Sequence, residues 1–214
     1  MATDYSLYLV ADADYASGRD LPGLVDAAVA GGVTVVQLRA KSLPGGAFVE
    51  LGLSLAGRLA GTGVPLLVND RVDVAMACGA AGVHLGQEDM PVRLARRLLG
   101  PGAVIGVSVC TPDEARRAER DGADYVGAGP AHATATKDTP LAVLGPDGIG
   151  LVKRSISIPV IAIGGINPRN AADIAAAGAD GIAVVSAILG APDAKRAAEE
   201  LKRTFMQSQK RRAI

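Results

Sequence analysis

Eight short runs of aliphatic, largely β-branched residues recur along the chain, and Ala-rich stretches of helical length separate them. Most of the runs are continuously apolar instead of alternating with polar residues, which is typical of parallel strands covered by helices. Strands that alternate with helices in this way predict an α/β fold with a parallel sheet. The predicted strands are Leu7–Ala11, Val33–Leu38, Leu66–Asn69, Gly82–Leu85, Val104–Ser108, Tyr125–Gly127, Val160–Ile163 and Gly181–Val185.

A weak internal repeat supports this interpretation. Segments that begin at Gly79, Gly122 and Gly178 share a helix-ending glycine, a tight turn and a buried strand, and Gly31 begins a looser copy. Their spacing of roughly 50 residues equals about two βα units of a barrel. We therefore predict a single (β/α)₈ TIM barrel over residues 1–214, with residues 202–214 as a frayed basic helix end. A doubly wound open sheet is the alternative.

Local signals predict where some helices begin and end. Asp20 is a good N-cap residue, and Asn167 followed by Pro168 predicts the start of a later helix. Gly178 stands where that helix would need a left-handed residue at its end.

Composition agrees with a tightly packed α/β core. Hydrophobic residues make up 49% of the chain and aromatic residues only 3%, so Ala, Val, Leu and Ile must fill the interior. The 22 basic and 22 acidic residues balance, which gives no support to a nucleic-acid or membrane footprint. Cys78 and Cys110 lack metal-ligand spacing. Because no signal-peptide or membrane-span pattern is evident, we expect a cytoplasmic protein that acts on small molecules. The oligomeric state stays open, a homo-oligomer included.

Polar residues and glycines follow the apolar runs, at the rim where TIM barrels carry their active sites. Gly164 and Gly165, together with Ser186, predict a phosphate site, because loops after strands seven and eight commonly bind phosphate in this fold. The structural alternative for the glycines is an ordinary tight turn. The remaining rim candidates are Gln37, Arg39, Lys41, Asn69, Asp70, His84, Asp89, Ser108, Thr134, Thr136 and Lys137.

Asp70 and Asp89 supply hard oxygen ligands on neighbouring strand ends, opposite the cationic side chains of Arg39, Lys41 and Lys137. This combination suits a Mg²⁺ ion that bridges a diphosphate. The alternative is that these residues form salt bridges, such as Asp70 with Arg71.

Other polar residues have weaker interpretations. Gln37 and Asn69 are suited either to hydrogen-bonding a heterocycle or to strand-end capping. His84 lies inside an apolar strand and is better explained as a hydrogen-bonded barrel histidine than as a base. His132 is a better candidate for ligand contact, and Cys110 has no neighbour that marks it as a nucleophile.

Taken in order, these motifs resemble the thiamine-phosphate synthase family over Leu7 to Leu189. The resemblance implies that Arg39, Lys41, Lys137 and Ser108 are catalytic and that Asp70 and Asp89 bind Mg²⁺. The residues that would bind the aminopyrimidine diphosphate are Gln37, Leu38, Arg39, Ala40, Lys41, Asn69, Ser108 and Lys137. The residues that would bind the thiazole phosphate are Thr134, Ala135, Thr136, Gly165, Val185 and Ser186.

The family's reaction, a substitution at the pyrimidine methylene in which pyrophosphate leaves and the thiazole nitrogen attacks, makes sense of these residues. Charge neutralisation and positioning suffice for it, and a general base is not needed. Two positions depart from the family pattern. Ala131-His132-Ala133 replaces a bulky apolar pair after Gly129-Pro130, and Cys110 stands where a histidine is often found.

Three other functions compete with this interpretation. A thiazole tautomerase shares the barrel and the thiazole phosphate but typically lacks the acids at Asp70 and Asp89, while His132 could move its proton. A non-catalytic thiamine-phosphate-binding protein would not need the charged groups at the rim. Other phosphate-binding barrel enzymes, such as sugar-phosphate epimerases or indole-pathway enzymes, normally carry catalytic acids or lysines inside their strands, which here are almost purely apolar.

Overall fold

A computed structural model describes residues 3–134 and 142–212 of the chain. Its eight strands are all parallel, each pairs with the next along the chain, and the first pairs with the last, so the sheet closes into a barrel. The TIM-barrel prediction is confirmed and the open-sheet alternative is excluded. The strands are β1 (Leu7–Asp12), β2 (Val35–Arg39), β3 (Leu66–Asn69), β4 (Gly82–Leu85), β5 (Val104–Val109), β6 (Tyr125–Ala128), β7 (Val160–Ile163) and β8 (Gly181–Val184).

Helices cover the outside of the barrel and connect its strands. In the described part of the chain they are α1 (Leu21–Ala30), α2 (Gly45–Leu59), α3 (Val72–Cys78), α4 (Val92–Leu99), α5 (Pro112–Arg120), α6 (Gly145–Ser155), α7 (Ala171–Ala177), α8 (Ser186–Leu189) and α9 (Ala194–Arg212). Within 3–134 and 142–212, every helix is too short or too polar to cross a membrane.

The core has two layers because successive side chains of a strand point to opposite faces of the sheet. The larger layer lies between the strands and the helices and includes Leu38, Leu85 and Ile105. The smaller layer fills the barrel interior and contains the rings of Tyr8 and Tyr125. Fully burying one large aliphatic side chain stabilises the fold by about 1.5–3 kcal/mol.

The helix-ending glycines of the internal repeat, and the left-handed conformation expected at Gly178, are confirmed. Gly79, Gly122 and Gly178 have φ values of 66°, 91° and 100°, and each is followed by the strand that the repeat predicted. In the looser copy the left-handed residue is Gly32, with φ 100°, instead of Gly31. There Val33 donates its N–H to the carbonyl of Ala28, so it closes α1 and β2 begins two residues later than predicted.

The helix ends agree with the sequence in part. Asp20 caps α1 as predicted, its carboxylate accepting a hydrogen bond from the Gly23 N–H at 3.1 Å. The predicted helix start at Asn167 is wrong, because α7 begins at Ala171 with Asn170 as its N-cap residue. Asn167 instead accepts the N–H of Arg169 at 2.9 Å and so stabilises a turn before the helix.

Residues 202–212, for which the sequence suggested a frayed end, continue α9. Phe205 is fully buried, as is Leu201 one turn before it. The side chains of Ser208 and Gln209 donate hydrogen bonds to two backbone carbonyls, that of Ala172 in the first turn of α7 and that of Ala179 just after this helix. Basic side chains therefore occupy the exposed face of a helix whose other face packs on the barrel.

Candidate active site

A cavity opens at the carboxyl end of the barrel, and all eight strands or the segments after them line it. A shallower recess, which shares Asp12, Arg39 and Gly165 with the cavity, extends it over the ends of β1, β7 and β8. The predicted site residues that line the cavity are Gln37, Arg39, Asn69, Ser108, Thr134, Gly165, Val185 and Ser186. The sequence rule that places function at the strand ends therefore located residues that share one opening, whereas the predicted Lys41, Asp70 and Asp89 are not among the described residues that line it.

Strand β2 sends alternate side chains to opposite faces. Gln37 and Arg39 point into the barrel and line the cavity. Leu38 and Ala40 are buried in the layer between strands and helices, where Leu38 faces Gly52 of α2. Any contact of Leu38 or Ala40 with a ligand would thus come from their backbone.

Arg39 is held by a residue that the sequence reasoning missed. The buried carboxylate of Asp12 lies 2.5 Å from Arg39 and also accepts the N–H groups of Asp14 and Tyr15, at 3.0 and 3.1 Å. Asp12 is only 2% exposed, and buried carboxylates need such partners. Because Asp12 directly follows the predicted strand Leu7–Ala11, the same strand-end rule would have found it had it been applied to β1.

Lys41 and Asp70 form an ion pair above the ends of β2 and β3. The alternative partner Arg71 binds Asp73 instead, through two contacts at 2.8 and 2.6 Å. Asp70 has φ 60°, the one left-handed non-glycine residue in the described ranges. Such a conformation costs of order 1 kcal/mol and persists where surrounding structure imposes it. Here the Asp70 N–H donates to the carbonyl of His84, at the end of the neighbouring strand.

Asp89 completes an acidic pair with Asp70. Burial raises the pKa of Asp89, and the neighbouring Asp70 raises it further through a side-chain hydrogen bond and charge repulsion. The Gly86 N–H, 2.6 Å from Asp89, and Lys41 act in the opposite direction. Two carboxyl groups this close favour a shared proton or a cation between them.

The donor set of this pair bears on which metal it could hold. Three or more histidine, cysteine, aspartate or glutamate side chains do not cluster as a metal site anywhere in residues 3–134 and 142–212. Mg²⁺ typically takes only one or two carboxylates and completes its shell with waters and substrate phosphates. Asp70 and Asp89 fit that pattern.

A chain of buried hydrogen bonds crosses the barrel beneath the cavity. Gln37 Nε2 donates to the Tyr8 hydroxyl at 2.7 Å, Tyr8 contacts the Tyr125 hydroxyl at 2.8 Å, and Tyr125 contacts His84 Nδ1 at 2.9 Å. His84 Nε2 then lies 2.9 Å from Ser108 Oγ. The interpretation of His84 as a hydrogen-bonded barrel histidine is therefore confirmed.

The sequence analysis did not predict a role for Tyr8 or Tyr125, because both lie within apolar runs. Glycines in β5 and β6 leave the space that Tyr125 and His84 occupy. A Cβ atom on Gly106 would lie 2.1 Å from the Tyr125 ring, and one on Gly127 would lie 2.9 Å from His84. A glycine inside a predicted strand marks such a close approach, and this was the available signal.

The opposite side of the cavity is built from backbone. Gly164 and Gly165 have φ values of 104° and 64°, and a Cβ atom on Gly165 would lie 2.4 Å from the carbonyl oxygen of Ala133. Val185 follows β8 directly and Ser186 begins α8. Both line the cavity beside Gly165, as does Thr134. Ala135, Thr136 and Lys137 lie outside the described residues.

His132 and Cys110 take different positions. The described residues that line the cavity and its recess do not include His132. Its N–H donates to the Gly164 carbonyl at 3.0 Å, while its Nε2 is buried without a partner in the described part of the chain. Cys110 lines the cavity, and its N–H donates to Glu114 at 2.6 Å.

Comparison with known proteins gives one consistent result. Residues 7–188 match the family model described as thiamine monophosphate synthase. Thiamine-phosphate synthase of Chloroflexus aurantiacus is 51% identical over 93% of this chain and 92% of its own length, and that of Moorella thermoacetica is 46% identical over 92% and 94%. Thiamine phosphate pyrophosphorylase from Pyrococcus furiosus superposes with a TM-score of 0.87 at 38% identity, over 96% of this chain and 98% of that one.

Structures of lower sequence identity show the same barrel fold. Orotidine 5′-phosphate decarboxylase from Pyrococcus horikoshii, for example, has a TM-score of 0.69 at 18% identity, over 94% of this chain and 99% of that one. The family model and the close relatives cover nearly all of the described barrel, including every strand that contributes to the cavity. This chain therefore belongs to the thiamine monophosphate synthase family and is a transferase enzyme.

Proposed function

We propose that this enzyme condenses an aminopyrimidine methyl diphosphate with a thiazole phosphate, forming thiamine phosphate and releasing pyrophosphate. One observation carries the proposal. The Arg39 guanidinium, paired with Asp12 at the ends of β1 and β2, and a glycine-lined backbone recess at the ends of β7 and β8 face a single cavity. Two phosphorylated substrates could thus bind on opposite sides with their reacting atoms between them.

The diphosphate is assigned to the side of Arg39 and Lys41. Arg39 is oriented by Asp12, so its remaining N–H groups are available to phosphate oxygens without loss of its position. Lys41 lies at the rim, where it pairs with Asp70. The sequence also assigns Lys137 to the diphosphate, but Lys137 is outside the described residues. Gln37, Asn69 and Ser108 would hold the pyrimidine ring deeper in the cavity.

Asp70 and Asp89 are the residues proposed to hold Mg²⁺. Burial raises the pKa of Asp89, and the neighbouring Asp70 adds to the rise; a divalent cation bound between the two carboxylates would relieve their repulsion. Bound there, Mg²⁺ would neutralise charge on the departing diphosphate. Lys41, already paired with Asp70, would add positive charge to the same leaving group.

The thiazole phosphate is assigned to Gly165, Val185 and Ser186, with Thr134 and the adjoining Ala135 and Thr136. The left-handed glycine brings backbone N–H groups close to an anion without an intervening side chain. The Ser186 hydroxyl would add a further donor. A thiazole phosphate held there would have its ring directed toward the pyrimidine side.

The reaction needs one bond to break and one to form. The methylene C–O bond breaks with its electron pair leaving on pyrophosphate, and the lone pair of the thiazole nitrogen forms the new C–N bond. Neither step requires a proton to be removed first, and His84, whose ring nitrogens contact Tyr125 and Ser108, is placed to hold neighbours in position. Electrostatic stabilisation and orientation are therefore the contribution of this chain.

A coupling assay tests the proposal. The protein is mixed with both substrates, with Mg²⁺ or with EDTA, and thiamine phosphate is measured as fluorescent thiochrome after oxidation. Product that requires both substrates and Mg²⁺ is the expected result. Folded protein that yields no product would overturn the proposal and favour a thiazole tautomerase instead. In that enzyme His132 was the candidate for moving the proton, but His132 is not among the described residues that line the cavity.

A further inference from the structure

The buried hydrogen bonds that run from Gln37 through Tyr8, Tyr125 and His84 to Ser108 form a relay. The relay has a direction, which follows from what each group can donate. The Gln37 amide nitrogen carries hydrogens and no lone pair for acceptance, so Tyr8 must accept from it. In the described residues the Tyr8 hydroxyl meets only Gln37 and Tyr125, so its single hydrogen has Tyr125 as its acceptor. If Tyr125 donated to Tyr8 instead, the Tyr8 hydrogen would be buried without an acceptor, which costs more than one hydrogen bond contributes.

The direction then passes to the histidine. Tyr125, having accepted from Tyr8, donates its own hydrogen to His84 Nδ1. A neutral imidazole that accepts at one nitrogen carries its hydrogen on the other. His84 Nε2 therefore donates to Ser108 Oγ. Burial raises the pKa of both Tyr8 and Tyr125, so both hydroxyls keep their hydrogens at neutral pH.

We propose that Gln37 sets, through Tyr8 and Tyr125, the Nε2–H tautomer of His84 and thereby makes the Ser108 hydroxyl a hydrogen-bond donor toward the cavity. Tyr8, Tyr125 and His84 are then positioning residues, because they act on the ligand through Ser108. Ser108 keeps its own hydrogen and one lone pair for the ligand.

This inference rests on the proposed function for the identity of the ligand. A pyrimidine with an amino group beside a ring nitrogen presents a donor next to an acceptor. Ser108 with a directed hydrogen and a remaining lone pair matches such an edge, whereas a Ser108 that donated to His84 would have only lone pairs to offer. The relay would thus favour a heterocycle that presents a hydrogen-bond acceptor to the Ser108 hydroxyl.

The first test reads the tautomer in the substrate-free, ¹⁵N-labelled protein by long-range ¹H–¹⁵N NMR. The chain has two histidines, so the spectrum contains two imidazoles, and His84→Gln and His132→Gln assign them independently. We expect a neutral Nε2–H ring for His84. An Nδ1–H tautomer or a cationic ring at neutral pH would overturn the proposal.

The second test reverses the direction of the hydrogen bonds in the relay. In Gln37→Glu an ionised carboxylate can only accept, so Tyr8 must donate to it and every later bond must turn around. We expect His84 to change to the Nδ1–H tautomer at a pH where ¹³C shifts show the new carboxylate to be ionised. In a Tyr8→Phe background the same Gln37→Glu change should leave the tautomer unaltered. Reversal that persists without the Tyr8 hydroxyl, or no reversal in Gln37→Glu, would contradict the relay.

The third test measures binding with the two Gln37→Glu proteins, which carry the same new carboxylate and differ in the Tyr8 hydroxyl. In Gln37→Glu the reversed relay makes Ser108 give its hydrogen to His84, so we expect a KM for the pyrimidine diphosphate about fivefold higher than in Gln37→Glu/Tyr8→Phe, the factor for one neutral hydrogen bond. Tyr5→Phe in the Gln37→Glu background removes the hydroxyl of a ring that packs 4.8 Å from Tyr125 and takes no part in the relay, so it should not lower that KM. The KM for the thiazole phosphate should be the same in all three proteins.

Equal pyrimidine KM values in Gln37→Glu and Gln37→Glu/Tyr8→Phe, with both proteins folded by circular dichroism, would show that the relay does not act on the ligand through Ser108. The NMR tests use no substrate, so their outcome stands apart from the coupling assay. If NMR confirms the relay but the protein makes no thiamine phosphate, only the proposed function is overturned. If the protein makes thiamine phosphate but NMR contradicts the relay, only the relay is overturned.

Discussion

The carboxyl groups of Asp70 and Asp89 lie close enough to interact, although one follows β3 and the other follows β4. Burial, and then Asp70, raise the pKa of Asp89. A raised pKa means that the folded protein holds a proton more tightly than the unfolded chain does. The stability that this proton contributes is therefore complete below the ordinary pKa of aspartate and declines as pH rises through the raised value.

Asp89→Asn should flatten this decline. The amide oxygen of the new side chain can still accept the Gly86 N–H, but the negative charge is gone. Thermal unfolding without Mg²⁺, followed from about pH 4 to pH 8, should show a smaller loss of stability in the variant than in the wild type. The same variant should lose about 100-fold in synthesis and most of its response to Mg²⁺. An unchanged Mg²⁺ titration would remove Asp89 from the metal site.

Asp12→Asn should release Arg39. The amide can still accept from the backbone of the loop after β1, but it no longer neutralises the guanidinium. We expect a loss of about 2 kcal/mol in unfolding free energy and a KM for the pyrimidine diphosphate that rises about tenfold. Asp26→Asn is the control, since its pair with Arg58 is exposed and should contribute below about 1 kcal/mol. Equal effects in the two variants would show that Asp12 does not position Arg39.

Gly165→Ala should damage the proposed thiazole-phosphate side. The new Cβ atom would lie 2.4 Å from the Ala133 carbonyl oxygen at a left-handed φ, so the loop must move. Gly61→Ala controls for the backbone conformation, because Gly61 has φ 77° and open space around it. Titration of inorganic phosphate or thiazole phosphate should show weaker binding in Gly165→Ala only. Equal binding in both variants would argue against a phosphate site at Gly165.

Phe205→Ala tests the packing of α9. Phe205 is fully buried in the layer that joins this helix to the barrel, so its truncation should cost about 3–5 kcal/mol. Arg203→Ala, on the exposed face of the same helix, should change stability by less than about 0.5 kcal/mol. Chemical denaturation gives both values. A small loss for Phe205→Ala would mean that the helix end is frayed in solution.

Much of the fold was predictable because it depends on local patterns. Continuous apolar runs located all eight strands, and the bounds of β3, β4 and β7 were predicted to the residue. Helix ends were harder, since Asn167 and Asn170 are both good capping residues and only the packing of the turn between them decided which one begins α7. Basic residues likewise obscured the buried face of α9.

The amino-acid sequence by itself determined the barrel, the family and the rim at which polar residues gather, because strand period and strand-end chemistry are local properties. Only the tertiary structure decided which of these residues meet. Lys41 pairs with Asp70 and Arg39 with Asp12 across neighbouring strands. Tyr8 reaches Tyr125 from the far side of the barrel, 117 positions along the chain. Such contacts depend on barrel closure and strand register, which bring distant residues together and which no local pattern encodes.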